Sequence, residues 1–392
     1  MQPSLFILGR QPKLGLAELE SLFGSELVHP IGNNGAVVDI DPKEVNFNRI
    51  GGSVKLAAVL TELEVTAWHK LVDYVSETLP KHLGYIPEGK LKLGLSTYGL
   101  NTSATQINKS GIEIKKIVKA TSRSVRVVPN KDSALNSAQV IHNQLTSQLG
   151  LELVFIKNGK TTILAQTISE QDIDGYAARD QDRPKRDSVV GMLPPKLAQI
   201  IINLATNKEH SKELVILDPF CGTGVVLQEA LLMGYEAYGT DIEPRMIDYS
   251  KDNLQWLKTR KNDIKSWNLE IADAMQATWS KEFNIVACET YLGRPLSRVP
   301  DPDTLTKIIK DCNHIIKKFL LNIAGQTNPG TKLCIAVPAW KISKDFRHLP
   351  LLDHLEDMGY TEASFVHVNN HDLIYYREDQ IVARELLVLT RK

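Results

Sequence analysis

Leu214-Val215-Ile216-Leu217-Asp218-Pro219-Phe220-Cys221-Gly222-Thr223-Gly224 is the stretch on which the fold is decided. Four apolar residues ending in an acid, then proline, then two glycines around a threonine, read as a buried strand, a tight turn and the start of a helix. Glycine lets the backbone approach a ligand closely, and the free N–H groups of a helix N-terminus favour carboxylate or phosphate. A phosphate-binding P-loop would require Gly-x-x-x-x-Gly-Lys-Ser/Thr, and the lysine is absent. A dinucleotide turn would want a third glycine at position 227, where Leu227 stands, and would not need Asp218 or Phe220.

Outward from this turn the pattern is regular. Strands are predicted at 214–218, 236–241, 268–273, 283–289 and 332–338, alternating with helices near 223–233, 243–259, 301–325 and 346–358. Two closing strands follow at 364–368 and 384–389. Such alternation predicts an α/β domain with a mostly parallel sheet covered on both faces, binding its ligand beyond the carboxyl ends of the strands. Four predicted strands end in an acid: Asp218, Asp241, Asp273 and Glu289. Solvated strand ends explain four in succession poorly, although Asp273 taken alone also suits a helix N-cap.

Upstream, short strands at 4–8, 36–40, 54–65, 90–97, 124–128, 152–156 and 162–167 mix with helices at 14–23, 68–79, after the polar stretch 101–103, and at 134–149. Residues 172–187 are dense in charge and poor in apolar side chains, as a linker or surface loop would be. Pro194-Pro195 then opens a helix with Leu197, Ile200, Ile201 and Leu204 at the spacing of a buried face.

The 392 residues carry 46 Lys+Arg against 46 Asp+Glu, with 43% hydrophobic and 6% aromatic residues. That length predicts more than one domain, at about 100–200 residues each. Zero net charge argues against a protein that coats nucleic acid, without excluding a local basic face. Such a face is legible between 109 and 131, where Lys109, Lys115, Lys116, Lys119, Arg123, Arg126 and Lys131 stand against Glu113. Basic side chains gathered this way neutralise phosphates; a solvated helix face is the plainer alternative. No run reaches the roughly 18 apolar residues of a membrane span, and no signal-peptide core is present, so a cytoplasmic address is expected. Cys221, Cys288, Cys312 and Cys334 show neither disulfide nor metal-ligand spacing and read as core residues, so no metal is expected.

The string Asp218-Pro219-Phe220-Cys221-Gly222-Thr223-Gly224 resembles motif I of S-adenosylmethionine-dependent methyltransferases that act on amino groups of nucleic-acid bases. The resemblance implies that Asp218, Phe220, Gly222 and Gly224 hold the methionine part of that cofactor. It implies that Asp241 accepts the ribose hydroxyls, Ile242 packs on the adenine, and Asp273 and Ala274 lie near the adenine amino group. Met192 and Pro194, in the segment before the motif, are assigned to the cofactor's surroundings on the same basis.

Residues 183–198 and the tail 375–386 resemble the archaeal-type tRNA guanosine-10 N2-methyltransferases. Residues 165–167 and 171–180 resemble the end of a THUMP domain, an RNA-binding module, and 6–10 with 16–20 resemble the ferredoxin-like piece of the same proteins. The implied organisation is a ferredoxin-like region over 1–60, a THUMP-like domain over 61–175, a linker over 176–195, and a Rossmann-like, seven-stranded class I methyltransferase domain over 196–392. The implied partner is tRNA; a small activator protein is not required by the sequence.

The resemblance breaks at the acceptor site. Relatives carry Asp/Asn-Pro-Pro-Tyr/Phe, whose acid or amide accepts the amine hydrogens while the ring stacks on a flipped base. Here the string is Glu289-Thr290-Tyr291-Leu292. Glu289 is the expected amine acceptor and Tyr291 the expected stacking face. Cys288 as a nucleophile is disfavoured, because the Pro-Cys context of that chemistry is missing. Two other readings are a catalytically silent RNA-binding homologue and a DNA amino-methyltransferase, the latter disfavoured by the THUMP-like half.

Overall fold

The computed structural model describes residues 2–187, 192–207, 213–296, 298–343 and 345–392; Ser188 to Gly191, within the segment before the glycine turn, lie outside the described residues. The chain divides into two units. One comprises Met1–Leu16, Phe23–Asn48 and Gly52–Ile173, the other Ala17–Leu22, Arg49–Gly51 and Asp174–Lys392.

Residues 4–170 build β1 (Ser4–Leu8), α1 (Pro12–Phe23), β2 (Val28–Ile31), β3 (Gly35–Val38), β4 (Ser53–Leu63), α2 (Trp68–His82), β5 (Leu91–Tyr98), α3 (Ala104–Ala120), β6 (Val125–Val127), α4 (Ser137–His142), β7 (Gly150–Asn158) and β8 (Thr161–Glu170). Their strands form one sheet in the order β2-β3-β1-β4-β8-β7-β5-β6. The division expected at 60/61 falls inside β4, which pairs with β1 on one side and β8 on the other. α3 starts where the polar stretch ends: Ser103 and Gln106 cap each other's backbone N–H groups. Its Ile107, Ile114 and Val118 join Leu71 and Val75 of α2 in a core against Leu93 and Phe155 of the sheet. The helix expected at 134–149 shortens to α4. Gln144 takes a left-handed φ of 54°, and the N–H of Leu145 turns back to the Val140 carbonyl, which ends the helix.

From residue 173 the chain builds α5 (Ile173–Ala177), α6 (Pro195–Thr206), β9 (Val215–Asp218), α7 (Val225–Leu232), β10 (Glu236–Asp241), α8 (Pro244–Arg260), β11 (Trp267–Ile271), β12 (Ile285–Glu289), α9 (Pro302–Ala324), β13 (Lys332–Ile342), β14 (Asp345–Arg347), β15 (Tyr360–Glu362), β16 (Ile374–Tyr375) and β17 (Val382–Arg391). The sheet runs β11-β10-β9-β12-β13-β17-β15, with β14 added to β13 and β16 to β17. β9 to β13 are mutually parallel where they pair, and β17 is antiparallel to both neighbours. The seven-strand path matches the expected mostly parallel sheet; the two short strands are additions.

Two expected elements differ. The helix at 346–358 is instead β14 followed by a 3₁₀ turn over Pro350–His354, because Asp345 to Arg347 pair with the extended end of β13. The strand at 364–368 lies earlier, as β15, where Tyr360 to Glu362 find the free edge of β17. Strand order reverses between β9 and β12, which opens a crevice at their carboxyl ends. Beneath it, α9 contributes Ile316, Phe319, Leu320 and Ile323, all fully buried. Phe319 meets Phe220 edge-on, with ring centroids 5.1 Å apart, so the core supports the motif turn directly.

Phe319→Ala is therefore expected to destabilise the second unit by about 3–5 kcal/mol in urea unfolding followed by tryptophan fluorescence. A loss below 1 kcal/mol would show that the ring is not an anchor of this core.

Candidate active-site cleft

Three strands deliver their last residue to one cleft: Asp218 from β9, Asp241 from β10 and Glu289 from β12. The cleft has a volume of about 480 Å³, within the range of small-molecule sites. Phe220, Gly222, Ile242, Asp273, Ala274 and Tyr291 also line it.

The motif turn is held by its neighbours. Gly224 sits at φ 80°, and a Cβ there would meet Ser250 Oγ of α8 at 2.8 Å. Ser250 Oγ donates to the Gly222 carbonyl at 2.8 Å, and Asn253 Nδ2 to the Thr223 carbonyl at 2.8 Å. Gly224 thus shapes the turn without lining the cleft. The Gly222 N–H donates to Asp241 Oδ2 at 2.9 Å, and the Glu243 N–H to Oδ1 at 2.9 Å. Each Asp241 oxygen keeps further lone-pair capacity, the arrangement two vicinal hydroxyls need. Ile242, 60% exposed, offers an apolar face at the rim. Asp273 follows β11 by two residues. Its carboxylate caps the next turn through the Met275 N–H and the Gln276 amide, while the residue lines the cleft.

Electrostatically the cleft sets the carboxylates of Asp218, Asp241, Glu243, Asp273 and Glu289 against Arg294 in its lining. Burial pushes the Asp218 carboxyl well above its ordinary range; the Phe220 N–H opposes this, and the Asp241 and Glu289 charges add to it. Asp218 Oδ1 accepts that N–H at 3.1 Å, and Oδ2 has no partner among the described residues. Burial likewise raises Asp241. Cys221 and Cys288 are buried and free, and burial with the nearby Asp218 charge drives both thiols well above their usual value. A thiol held protonated is no nucleophile.

The end of β12 departs from a double-proline turn. Thr290 donates both its N–H and its Oγ1 hydroxyl to the Ala336 carbonyl, each at 2.9 Å, which secures the strand end. Tyr291 is 41% exposed and lines the cleft. Arg384 of β17 donates from Nε to Glu289 Oε1. Within the tail 375–386 the sequence gives Arg384 no role of its own. Its signal was a pair of charges, Arg384-Glu385, inside the otherwise apolar strand 382–389.

Other expected residues lie elsewhere. Leu193 lines the cleft, whereas its neighbours Met192, 37% exposed, and Pro194, the N-cap of α6, are not among the lining residues. In the first unit, Lys109, Lys116 and Lys119 are exposed on α3, Lys115 is half-buried there, and Arg126 is exposed on the edge strand β6. Arg123 instead donates to the Ile86 and Pro87 carbonyls. Among the described residues no group of three His, Cys, Asp or Glu could hold a metal ion, and no helix is long and apolar enough to cross a membrane.

A methyltransferase-domain family model matches residues 210–369, and a DNA methylase model matches residues 136–252. The crystal structure of TrmN from Thermus thermophilus covers 100% of both chains with a TM-score of 0.53, at 15% identity. The second unit has the Rossmann-like methyltransferase fold. Of curated methyltransferases, the tRNA (guanine(10)-N2)-dimethyltransferase of Methanothermobacter thermautotrophicus is 48% identical over 148 residues, 38% of this chain and 39% of that protein. Its namesake in Pyrococcus abyssi is 32% identical over 135 residues, 34% of this chain and 38% of that protein. The one in Methanocaldococcus jannaschii is 40% identical over 139 residues, 32% of this chain and 37% of that protein. The alignments thus span less than two fifths of each relative's length.

The raised carboxyls make a signed prediction. In the free protein, ionised Asp218 carries its full burial penalty above its folded pKa, and that penalty fades as pH falls toward the ordinary carboxylate range. Asp218→Asn keeps the oxygen that accepts the Phe220 N–H and removes the charge. It is expected to be at least as stable as the wild type at pH 8, with the difference shrinking by pH 5. Thermal melts of both proteins at the two pH values check this; a variant markedly less stable at pH 8 would contradict it.

Proposed function

We propose that this chain methylates an exocyclic amine of a tRNA base, guanine N2 foremost, using S-adenosylmethionine. The observation that carries the reading is the convergence of Asp218, Asp241, Glu289 and Tyr291 on one cleft of a methyltransferase fold. The residues present fit the cofactor. Asp218, buried with an oxygen to spare, suits a cationic methionine end; Asp241 suits the ribose hydroxyls; Ile242 and Ala274 suit the adenine. When bound, that group supplies an activated methyl.

The chain's own residues then have to orient the acceptor. An exocyclic amine is a weak nucleophile because its lone pair is delocalised into the ring, so alignment and hydrogen bonding to its N–H groups carry the catalysis. A carboxylate only accepts hydrogen bonds. Guanine sets N1–H beside its N2 amine, two donors side by side, whereas adenine sets a lone pair there. Glu289 therefore favours guanine, and Tyr291 offers the stacking face of a base-flipping site. Position 10 of tRNA rests on the names of the relatives.

The first unit is the RNA-docking part in this reading, THUMP-like in role, with Lys109, Lys115, Lys116, Lys119 and Arg126 meeting phosphates. The setting is the cytoplasm.

Labelled S-adenosylmethionine with unmodified tRNA transcripts, followed by mass spectrometry of nucleosides, should yield N2-methylated guanosine. Absence of label in tRNA, or label appearing in duplex DNA instead, would overturn the assignment. Asp241→Ala should weaken cofactor binding at least tenfold by calorimetry, about the effect of one lost charged hydrogen-bonding group; undiminished binding would sink the cofactor assignment. Glu289→Gln should keep cofactor binding but slow transfer by about 100-fold or more. Replacing Lys115, Lys116 and Lys119 together by Glu should weaken tRNA binding and flatten its log–log salt slope by about 2, at 0.7–0.9 per phosphate contact. An unchanged slope would remove α3 from the interface.

A further inference from the structure

Glu289 has one more methylene than the aspartate it stands for, and the rigid double proline that normally follows is gone. Each change frees the carboxylate to wander, and a catalytic acceptor held loosely loses rate steeply. The structure supplies a restraint from another strand. We propose that Arg384 is the positioning residue of the amine-acceptor site: its guanidinium, reaching from β17 to the carboxylate of Glu289 on β12, fixes how that carboxylate faces the incoming base. This rests on the methyl-transfer reading above and adds to it a residue that reading does not contain.

Strand register makes the reach possible. Glu289 stands opposite Ala336 of β13, and Arg384 opposite Pro338 of the same strand. Paired residues and residues two apart share a face of the sheet, so all four lie on one side. β13 presents only a methyl group and a compact ring between the ion partners, and a long arginine crosses it. Arg384 Nε donates to Glu289 Oε1, and the two side chains are 8% and 16% exposed. A buried arginine needs an anion, and a carboxylate held by a buried, charge-assisted hydrogen bond loses the freedom to change rotamer. With one lone pair of Oε1 held by Arg384, Oε2 and the second lone pair of Oε1 remain to accept from the base's side-by-side donors in the cleft that Glu289 lines.

Arg384 acts through Glu289 and needs no contact with the base. Arg384→Met should lower kcat for tRNA methylation by 10- to 100-fold, while KM for tRNA and Kd for S-adenosylmethionine stay within about twofold. In a double-mutant cycle, Arg384→Met should add nothing to Glu289→Gln, because the carboxylate being positioned is gone. Arg384→Gln retains a donor of similar reach and should fall between wild type and Arg384→Met; it also serves if the methionine variant does not fold. Wild-type kcat in either variant, or losses that multiply with Glu289→Gln, would overturn the proposal. If the wild-type chain methylates no tRNA base while still binding S-adenosylmethionine, the functional reading fails on its own. Arg384 is then judged by the crystal structure of Arg384→Met: a rotated or disordered Glu289 carboxylate is expected, and an unmoved one would overturn the role.

Discussion

The second unit is organised around an excess of carboxylates at the carboxyl edge of its sheet. Parallel strands that each end in an acid bring Asp218, Asp241 and Glu289 into one cleft, where removal from water makes every charge expensive. Two kinds of partner relieve the strain. Backbone N–H groups of the following turns serve Asp218 and Asp241, and Arg384 serves Glu289. What stays unrelieved at Asp218 is the room a cationic ligand would fill. A site that holds its carboxylates ready in this way spends stability in the free protein and recovers it on binding.

The supports behind the cleft follow from that need for order. The motif turn has Ser250 and Asn253 of α8 beneath it and Phe319 of α9 behind Phe220. The end of β12 is tied to β13 through Thr290. Hydrogen bonds to backbone carbonyls replace the stiffness that prolines would have given, and an ion pair replaces a shorter side chain. The thiols of Cys221 and Cys288 lie in the same core, where burial beside Asp218 pushes both well above their usual range.

Much of the architecture was legible because its signals are local. The alternating strands and helices after residue 214, the turn at Gly222 and Gly224, and the capped start of α3 each depend on neighbours in sequence. The misread elements depend on distant pairing. Residues 345–347 look helical in isolation and become a strand because β13 extends beside them. The strand expected at 364–368 forms instead at Tyr360–Glu362, where the edge of β17 is open to pairing. α4 stops early because Leu145 turns back to Val140, a choice made by the core it enters.

The candidate site divides the same way. The sequence by itself determined which strand ends and turn residues line the cleft, since Asp218, Gly222 and Asp241 sit at fixed intervals along strand–turn–helix units whose geometry repeats. It also determined that Glu289 stands where the resemblance expects an acid, with Tyr291 one position before the expected aromatic ring. Only the tertiary structure decided that Leu193, rather than Met192 or Pro194, faces the cleft, and that Arg123 serves a loop instead of the surface. It alone joined Arg384 to Glu289. Those two residues are 95 apart along the chain and meet because an antiparallel strand lies two places from β12, across a strand whose side chains are small enough to let them touch.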